Sequence, residues 1–310
     1  MSANSHGTKA ILAALIANFA IAVAKFVGFL VTHSSAMLAE SVHSVADASN
    51  QVLLLLGGRR AQRDADERHP FGYGRDRYFY SFVVALVLFS VGGLFSIYEG
   101  MHKLEEAGHG EGLNSPGVAI AILVFAIIAE SFSLRTAVRE SRPVKGDATW
   151  WQFIRTSKSP ELPVVLLEDL AALLGLVFAL VGVSLAAITH DLLYDAIGTL
   201  AIGGLLLVVA AILAFEMKGL LLGEAASPAQ VDQIRAALVD GQAVTRVIHL
   251  KTLHLGPDEL LVAAKIAVAP GLALPAVARA IDEAEARVRA TVTIARAIYL
   301  EPDLDRGNTP

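Results

Sequence analysis

The sequence predicts an all-α transmembrane domain of six helices, followed by a small α+β cytoplasmic domain of ferredoxin-like αββαβ order. Three observations carry that expectation. Of the 310 residues 55% are hydrophobic and 18% charged, and the mean hydropathy is +0.56, too apolar for an ordinary water-soluble domain. Six stretches approach the ~20 apolar residues that cross a bilayer. From Ser227 onward the composition turns into the charge mixture of a soluble domain. The same composition narrows the chemistry. With no cysteine in the chain, disulfides, thiolate ligands and cysteine nucleophiles are excluded, so a metal would be held by His, Asp or Glu. A net charge of -5, from 25 basic and 30 acidic residues, offers no basic surface for nucleic acid.

The first apolar stretch, Ala10 to Val31, is too long for a signal-peptide core and lacks a basic leader, so it reads as a retained helix. The second, Ala36 to Gly58, is interrupted by Glu40, His43, Asp47, Asn50 and Gln51. Its place between two stronger spans makes it a span. Tyr78 to Met101, Gly117 to Val138, Leu162 to Thr189 and Ala196 to Leu222 complete the set. The connection after span two carries Arg59, Arg60, Arg63, Arg68, Arg75 and Arg77. The one after span four carries Arg135, Arg139, Arg142, Lys145, Arg155 and Lys158, while the other three connections hold only Lys103. Positive loops face the cytoplasm, which predicts an integral multi-pass protein with both termini inside, in a cell (inner) membrane.

The expected transport domain covers residues 1–226 and the soluble domain 227–310. Within the latter, Pro228 to Asp240 and Leu274 to Ala290 have helical periodicity, and Val244 to Leu255, Glu259 to Val268 and Thr291 to Leu300 read as strands. Its nine basic and ten acidic residues leave it near neutral, which suits packing and dimerisation better than anion binding.

Ionisable groups inside a membrane are costly and usually functional. His43 and Asp47 are spaced i, i+4, which puts both on one face of span two, one turn apart. On span five Glu168 and Asp169 are adjacent and diverge by about 100°, so only one lies fully on a face shared with span two. One imidazole and two or three carboxylates, with no thiolate, fit a tetrahedral first-row divalent ion, zinc foremost. For Glu168 two readings stand: a ligand beside Asp169, or a partner for a polar group on a neighbouring helix. Glu40, Asn50 and Gln51 read as helix-to-helix hydrogen-bonding groups. Glu130 and Glu216 read as snorkelled ion-pair members near Arg135 and Lys218. Asp191 and Asp195, with His190, read as caps at the start of span six and as an ion-attracting vestibule second.

The runs Lys25-Phe26-Val27-Gly28, Ser35-Ala36-Met37-Leu38-Ala39-Glu40-Ser41-Val42-His43-Ser44-Val45-Ala46-Asp47 and His69-Pro70-Phe71-Gly72-Tyr73-Gly74-Arg75 resemble the cation diffusion facilitator family of divalent-metal transporters. The resemblance extends along essentially the whole chain. The run Leu166 to Gly175, with Trp150, Trp151 and Ser157-Lys158-Ser159-Pro160, is similar to the zinc-transporter-9-like branch. The resemblance implies a transport site made by the span-two His43 and Asp47 and a span-five His and Asp. Asp169 matches that Asp, but Val165 stands where the His would be, and Glu168 looks like the compensation. Trading an imidazole for a carboxylate makes the site harder and more tolerant of manganese, cobalt or iron.

Two further family sites are expected to be weak or missing. In the loop, Asp66 and His69 match but Tyr73 replaces a common second His. In the soluble domain, His249 and Glu301 match, whereas Lys265 and Tyr299 stand where histidines are common, and His254 reads as a surface histidine. The implied mechanism is alternating access without ATP, since no GxxxxGK[ST] phosphate loop occurs. Zinc would leave the cytoplasm in exchange for protons, because ligands must be deprotonated to bind. The expected protein is a homodimeric transporter rather than an enzyme, with membrane lipid, metal ions and protons as partners and no prosthetic group. Manganese, cobalt or iron transport on the same fold, a non-transporting scaffold or sensor, and an organic-cation exporter are the alternatives.

Overall fold

The computed structural model describes residues 19–106 and 115–304. Residues 10–18 of the first expected span and 305–310 of the soluble domain lie outside the described residues. The chain divides into two compact units, Met1–Gly58 with Phe79–Lys218, and Arg59–Tyr78 with Gly219–Pro310.

The first unit is helical. Helix α1 covers Phe19–Thr32 and α2 Ser35–Arg60. Helix α3, Asp76–Val87, passes through a π-helical segment, Leu88–Leu94, into α4, Phe95–Glu106. Then come α5, Pro116–Lys145, the short α6, Trp150–Thr156, α7, Glu161–Thr189, and α8, Leu193–Leu222. Among the described residues four stretches are long and apolar enough to cross a membrane: Asp76–Glu105, Pro116–Lys145, Glu161–Thr189 and Leu193–Leu222. They coincide with the third to sixth expected spans. The first and second expected spans are helical where described, and their described residues do not reach that combination of length and hydropathy.

Local chemistry explains the breaks. Pro116 occupies the first turn of α5, where its missing N–H costs nothing. Thr149 and Gln152 form a reciprocal capping box on α6. Helix α7 ends on His190 in the left-handed conformation, and Asp191 Oδ1 accepts from Leu193 N at 2.9 Å to start α8. Phe125, Phe132, Phe215 and Ile188 stand 62–76% exposed around this unit, while Leu88, Leu123, Leu176, Leu206 and Leu213 are fully buried in it. An apolar exterior around an apolar core is the pattern of helices bathed in lipid. Helices α7 and α8 meet at Gly182 and Gly198; a Cβ on Gly182 would lie 2.9 Å from the Tyr194 carbonyl oxygen.

In the second unit, α9, Pro228–Leu238, begins with a capping box of Ser227 and Gln230. Strands β1, Val244–Gly256, β2, Glu259–Val268, and β3, Ala295–Asp303, form one sheet in that order. The first pair is antiparallel and the second parallel. Helix α10, Leu274–Thr291, lies between β2 and β3 in sequence. The expected αββαβ order is found in this three-stranded sheet. Its core is Ile234, Leu238, Val262, Ile266, Ala284 and Val288. The third strand begins at Ala295 rather than Thr291 because α10 keeps its amphipathic pattern through Thr291 and the chain turns at Val292. Pro302 is accommodated because β3 is an edge strand. The loop glycine Gly74 packs on β1: a Cβ there would stand 2.9 Å from the Leu255 carbonyl oxygen.

Candidate metal transport site

The polar residues that depress the hydropathy of α2 are buried. Glu40, His43 and Asn50 are fully so, and Asp47 is 8% exposed. His43 Nε2 lies 3.4 Å from Asp47 Oδ2 across one helical turn. Among the described residues neither His43 ring nitrogen has a hydrogen-bond partner, nor does Asp47 Oδ1. Leaving such groups unpaired costs about 1–3 kcal/mol each, so the cluster is built for something other than internal hydrogen bonding. The π-helical segment brings Gly92 close, where a Cβ would lie 3.8 Å from His43 Nδ1. Segments of this kind recur at functional sites.

On α7, Glu168 and Asp169 are both buried but diverge. Glu168 Oε1 accepts from Asn50 Nδ2 of α2 at 2.7 Å. Asp169 Oδ2 accepts from Ser133 Oγ of α5 at 2.9 Å. Among the described residues no three His, Asp or Glu side chains gather closely enough to hold one ion. His43 with Asp47 and Glu168 with Asp169 thus stand as two pairs on facing helices. Asp169 also lines a cavity of about 280 Å3 between α2, α5 and α7 that Val165 and Gln51 share.

The remaining acids take roles partly different from those expected. Glu130 is 5% exposed and so is buried rather than snorkelled. Glu216 does reach a cation, but it is Arg155 on α6 at 3.5 Å. Asp195 is 1% exposed and caps α2 rather than its own helix. It accepts from Ser35 N at 2.8 Å, Ser35 Oγ at 3.0 Å and Ser34 Oγ at 2.7 Å. Buried in this way, it is a tether between α8 and α2 and not an open vestibule.

One buried group went unread in the sequence. Lys25, treated there only as part of a motif, is fully buried and its Nζ donates to Glu40 Oε2 at 2.9 Å and Ser44 Oγ at 2.7 Å. The signal was present, since a lysine inside an apolar span demands a buried partner, and Glu40 is the acid within reach.

The loop pair is tied together by hydrogen bonds. Asp66 Oδ2 accepts from the Tyr73 hydroxyl at 2.6 Å, and Oδ1 from His69 N at 2.7 Å and Arg68 N at 3.0 Å. His69 Nδ1 is 3.4 Å from the same carboxylate. The Tyr73 hydroxyl, then the backbone amides, hold the Asp66 pKa down to about 2.

In the soluble domain His249 pairs with Lys265, and Lys265 with Glu301, in adjacent strands. His249 and Glu301 line one pocket with Tyr299 and Glu285. Lys265 Nζ reaches Glu301 Oε1 and Asp303 Oδ2, each at 3.1 Å, and these bonds, Asp303 foremost, raise its pKa. An ammonium therefore stands where a third ligand would be needed. His254, expected at the surface, is 1% exposed, with Nδ1 3.4 Å from the Gly256 carbonyl.

Comparison with known proteins places the chain in a family. The family profile described as the cation efflux transmembrane domain matches residues 11–222. The mouse "Proton-coupled zinc antiporter SLC30A9, mitochondrial" is 33% identical over 251 residues, 80% of this chain and 44% of that protein. "Metal tolerance protein C4" of Arabidopsis thaliana is 29% identical over 85% of this chain and 57% of its own length. "Manganese efflux system protein MneP" of Bacillus subtilis is 24% identical over 82% of this chain and 81% of its own. The chain thus spans less than half the length of the mouse relative. A profile match across more than two thirds of the chain, on helices that bury a histidine and acids in an apolar bundle, means that the chain belongs to the cation efflux, or cation diffusion facilitator, family.

Proposed function

We propose that this protein carries zinc across a membrane in exchange for protons by alternating access. His43, Asp47 and Asp169 are its transport ligands in that reading, and Glu168 is held by Asn50. The observation that carries it is the His43 and Asp47 pair, buried on α2 with both ring nitrogens and Asp47 Oδ1 unpartnered among the described residues. Metal and protons compete for these atoms, so binding of one releases the other. A divalent ion needs both helices together, and the step that brings α2 and α7 closer would complete its shell. The relatives named for zinc antiport and manganese efflux support a first-row divalent cargo. Val165 in the cavity wall favours the second reading, manganese, cobalt or iron on the same path, because it takes a soft donor away.

In the same proposal the protein is a homodimer in a cell membrane with both termini cytoplasmic. The six spans lie within residues 1–226, and residues 227–310 form the ferredoxin-like dimerisation domain. The Asp66 and His69 pair and the His249 and Glu301 pair serve structure rather than metal.

Flux in proteoliposomes, with a metal panel outside and a trapped pH-sensitive dye, tests the reading. Zinc uptake should drive protons the opposite way. Metal flux without proton movement would mean a uniporter, and no metal flux a scaffold or sensor. His43→Ala and Asp47→Ala should each abolish the signal at matched protein levels.

A further inference from the structure

We propose that the cavity between α2, α5 and α7 is where the ion first touches protein, held by Asp169, Ser133 and the side-chain oxygen of Gln51. The proposal rests on the transport reading and adds to it a docking station that shares Asp169 with the transport site and precedes coordination by His43 and Asp47. The cavity holds about 280 Å3, room for several waters at the ~30 Å3 each occupies in the liquid. A cation can therefore enter with its hydration shell.

The cavity has a direction set by helix polarity. Gln51, Ser133 and Asp169 line it, and so do Glu140 and Glu161. Along α7, Glu161 precedes Asp169 by about 12 Å at 1.5 Å per residue, and along α5, Glu140 follows Ser133 by about 10 Å. The C-terminal ends of α2 and α5 and the N-terminal end of α7 all adjoin the two arginine-rich segments. The cavity thus runs from carboxylates at that end to the buried Asp169, which is 7% exposed. Between them Val165 and Ala137 offer no donor atom and the Thr136 hydroxyl already donates to the Phe132 carbonyl at 3.0 Å, so an ion keeps most of its waters until it reaches the deep end.

At that end the donors are oxygens only. Asp169 supplies charge, Ser133 already bonds to it at 2.9 Å, and Gln51 Oε1 is buried with no hydrogen-bond partner among the described residues. Gln51 follows Asp47 as Asp47 follows His43, at i+4, so the three make one stripe along α2. An ion docked at Gln51 and Asp169 has the next ligands one turn further along the same face. Carboxylate, amide and hydroxyl oxygens hold hydrated divalent ions with little preference among them, so this station admits ions and His43 discriminates.

Because the chain contains no cysteine, single cysteines can report on the cavity without further changes. Full-length protein in proteoliposomes carrying Ala137→Cys, 6% exposed in the wild type, should react with a membrane-impermeant thiol reagent only from the side bearing the arginine-rich segments. Phe132→Cys, on the lipid-facing surface, should not react. Gln51→Leu should raise the half-saturating concentration of zinc and of manganese alike, by about tenfold, the lower end of what altered metal surroundings cost. Its maximal flux and its zinc-to-manganese ratio should stay as in the wild type, and Gln51→Glu should restore the affinity. An unreactive Ala137→Cys, or a Gln51→Leu variant with wild-type half-saturation, overturns the proposal while leaving transport intact. A wild type that carries neither metal overturns the transport reading itself.

Discussion

Lys25 and Glu40 form an ion pair, 2.9 Å from Nζ to Oε2, with no exposed side-chain surface on either partner. The pair ties α1 to α2 three residues before His43, and the second bond of Lys25 goes to Ser44 beside that histidine. Removing one partner of such a pair leaves a buried charge and costs about 3–5 kcal/mol, whereas replacing both with apolar groups is close to neutral. Lys25→Met alone and Glu40→Leu alone should each lower the thermal midpoint of the detergent-solubilised protein sharply, and the double variant should recover most of the loss. Additive losses in that cycle would mean that the two side chains are not coupled.

The same glutamate constrains α7. A Cβ on Gly175 would sit 2.6 Å from Glu40 Oε1, closer than atoms pack, so Gly175→Ala should push Glu40 off Lys25. The expected result is a destabilisation that shrinks when Gly175→Ala is placed in the Lys25→Met/Glu40→Leu background. An equal loss in both backgrounds would put the cause elsewhere on α7.

The two adjacent acids of α7 should behave differently. Glu168 accepts from Asn50, and glutamine at that position keeps an acceptor, so Glu168→Gln should retain most zinc flux. Asp169 lines the cavity, and Asp169→Asn should abolish flux. Val165→His adds an imidazole to that wall and should shift preference toward zinc over manganese. A Glu168→Gln variant with zinc binding as poor as Asp169→Asn would make Glu168 a ligand instead.

The long apolar helices α5, α7 and α8 were legible because span length and hydropathy are properties of one segment. The strands were legible because their alternation is local too. Helix α2 was harder: its polar residues face inward, so its hydropathy describes its neighbours as much as itself. Candidate ligands could be named from spacing, since His43 and Asp47 share a turn whatever surrounds them. Partners from distant sequence could not. Ser133 lies 36 residues from Asp169 and Asn50 118 from Glu168, and no periodicity relates them. Asp195 shows the same limit, because its position at the start of α8 suggested a cap there, and the N–H groups it satisfies belong to α2.

The loop should be acid-sensitive at a defined point. The Asp66 pKa is held down to about 2, chiefly by the Tyr73 hydroxyl, against about 3.9 for a free aspartate. A carboxylate with a depressed folded pKa contributes stability above its unfolded value and loses it as pH falls through the folded one. The turn from Asp66 to Tyr73 should therefore hold above about pH 4 and loosen between about pH 4 and 2. In protein labelled with carboxyl-13C aspartate, with Asp66 assigned through Asp66→Asn, its resonance should titrate near 2 in the wild type and higher in Tyr73→Phe. An identical titration in both would remove Tyr73 as the cause.

The soluble domain should ignore zinc until one residue changes. His249, Lys265 and Glu301 lie side by side on three strands, at the roughly 4.8 Å spacing of neighbouring strands. The central ammonium, bonded to Glu301 and Asp303 at 3.1 Å, puts a positive charge where a cation would join them. Lys265→His removes that charge, frees Glu301, and sets an imidazole between His249 and the carboxylate, a donor set that suits zinc. Ligands that bind only the folded state raise its stability in proportion to the logarithm of their concentration. Measured in the His43→Ala background to silence the transmembrane site, zinc should leave the thermal midpoint unchanged when Lys265 is present and raise it in Lys265→His. Adding Glu301→Gln to that variant should cancel the rise, and a zinc-dependent rise with Lys265 still in place would mean that the native domain binds metal as it stands.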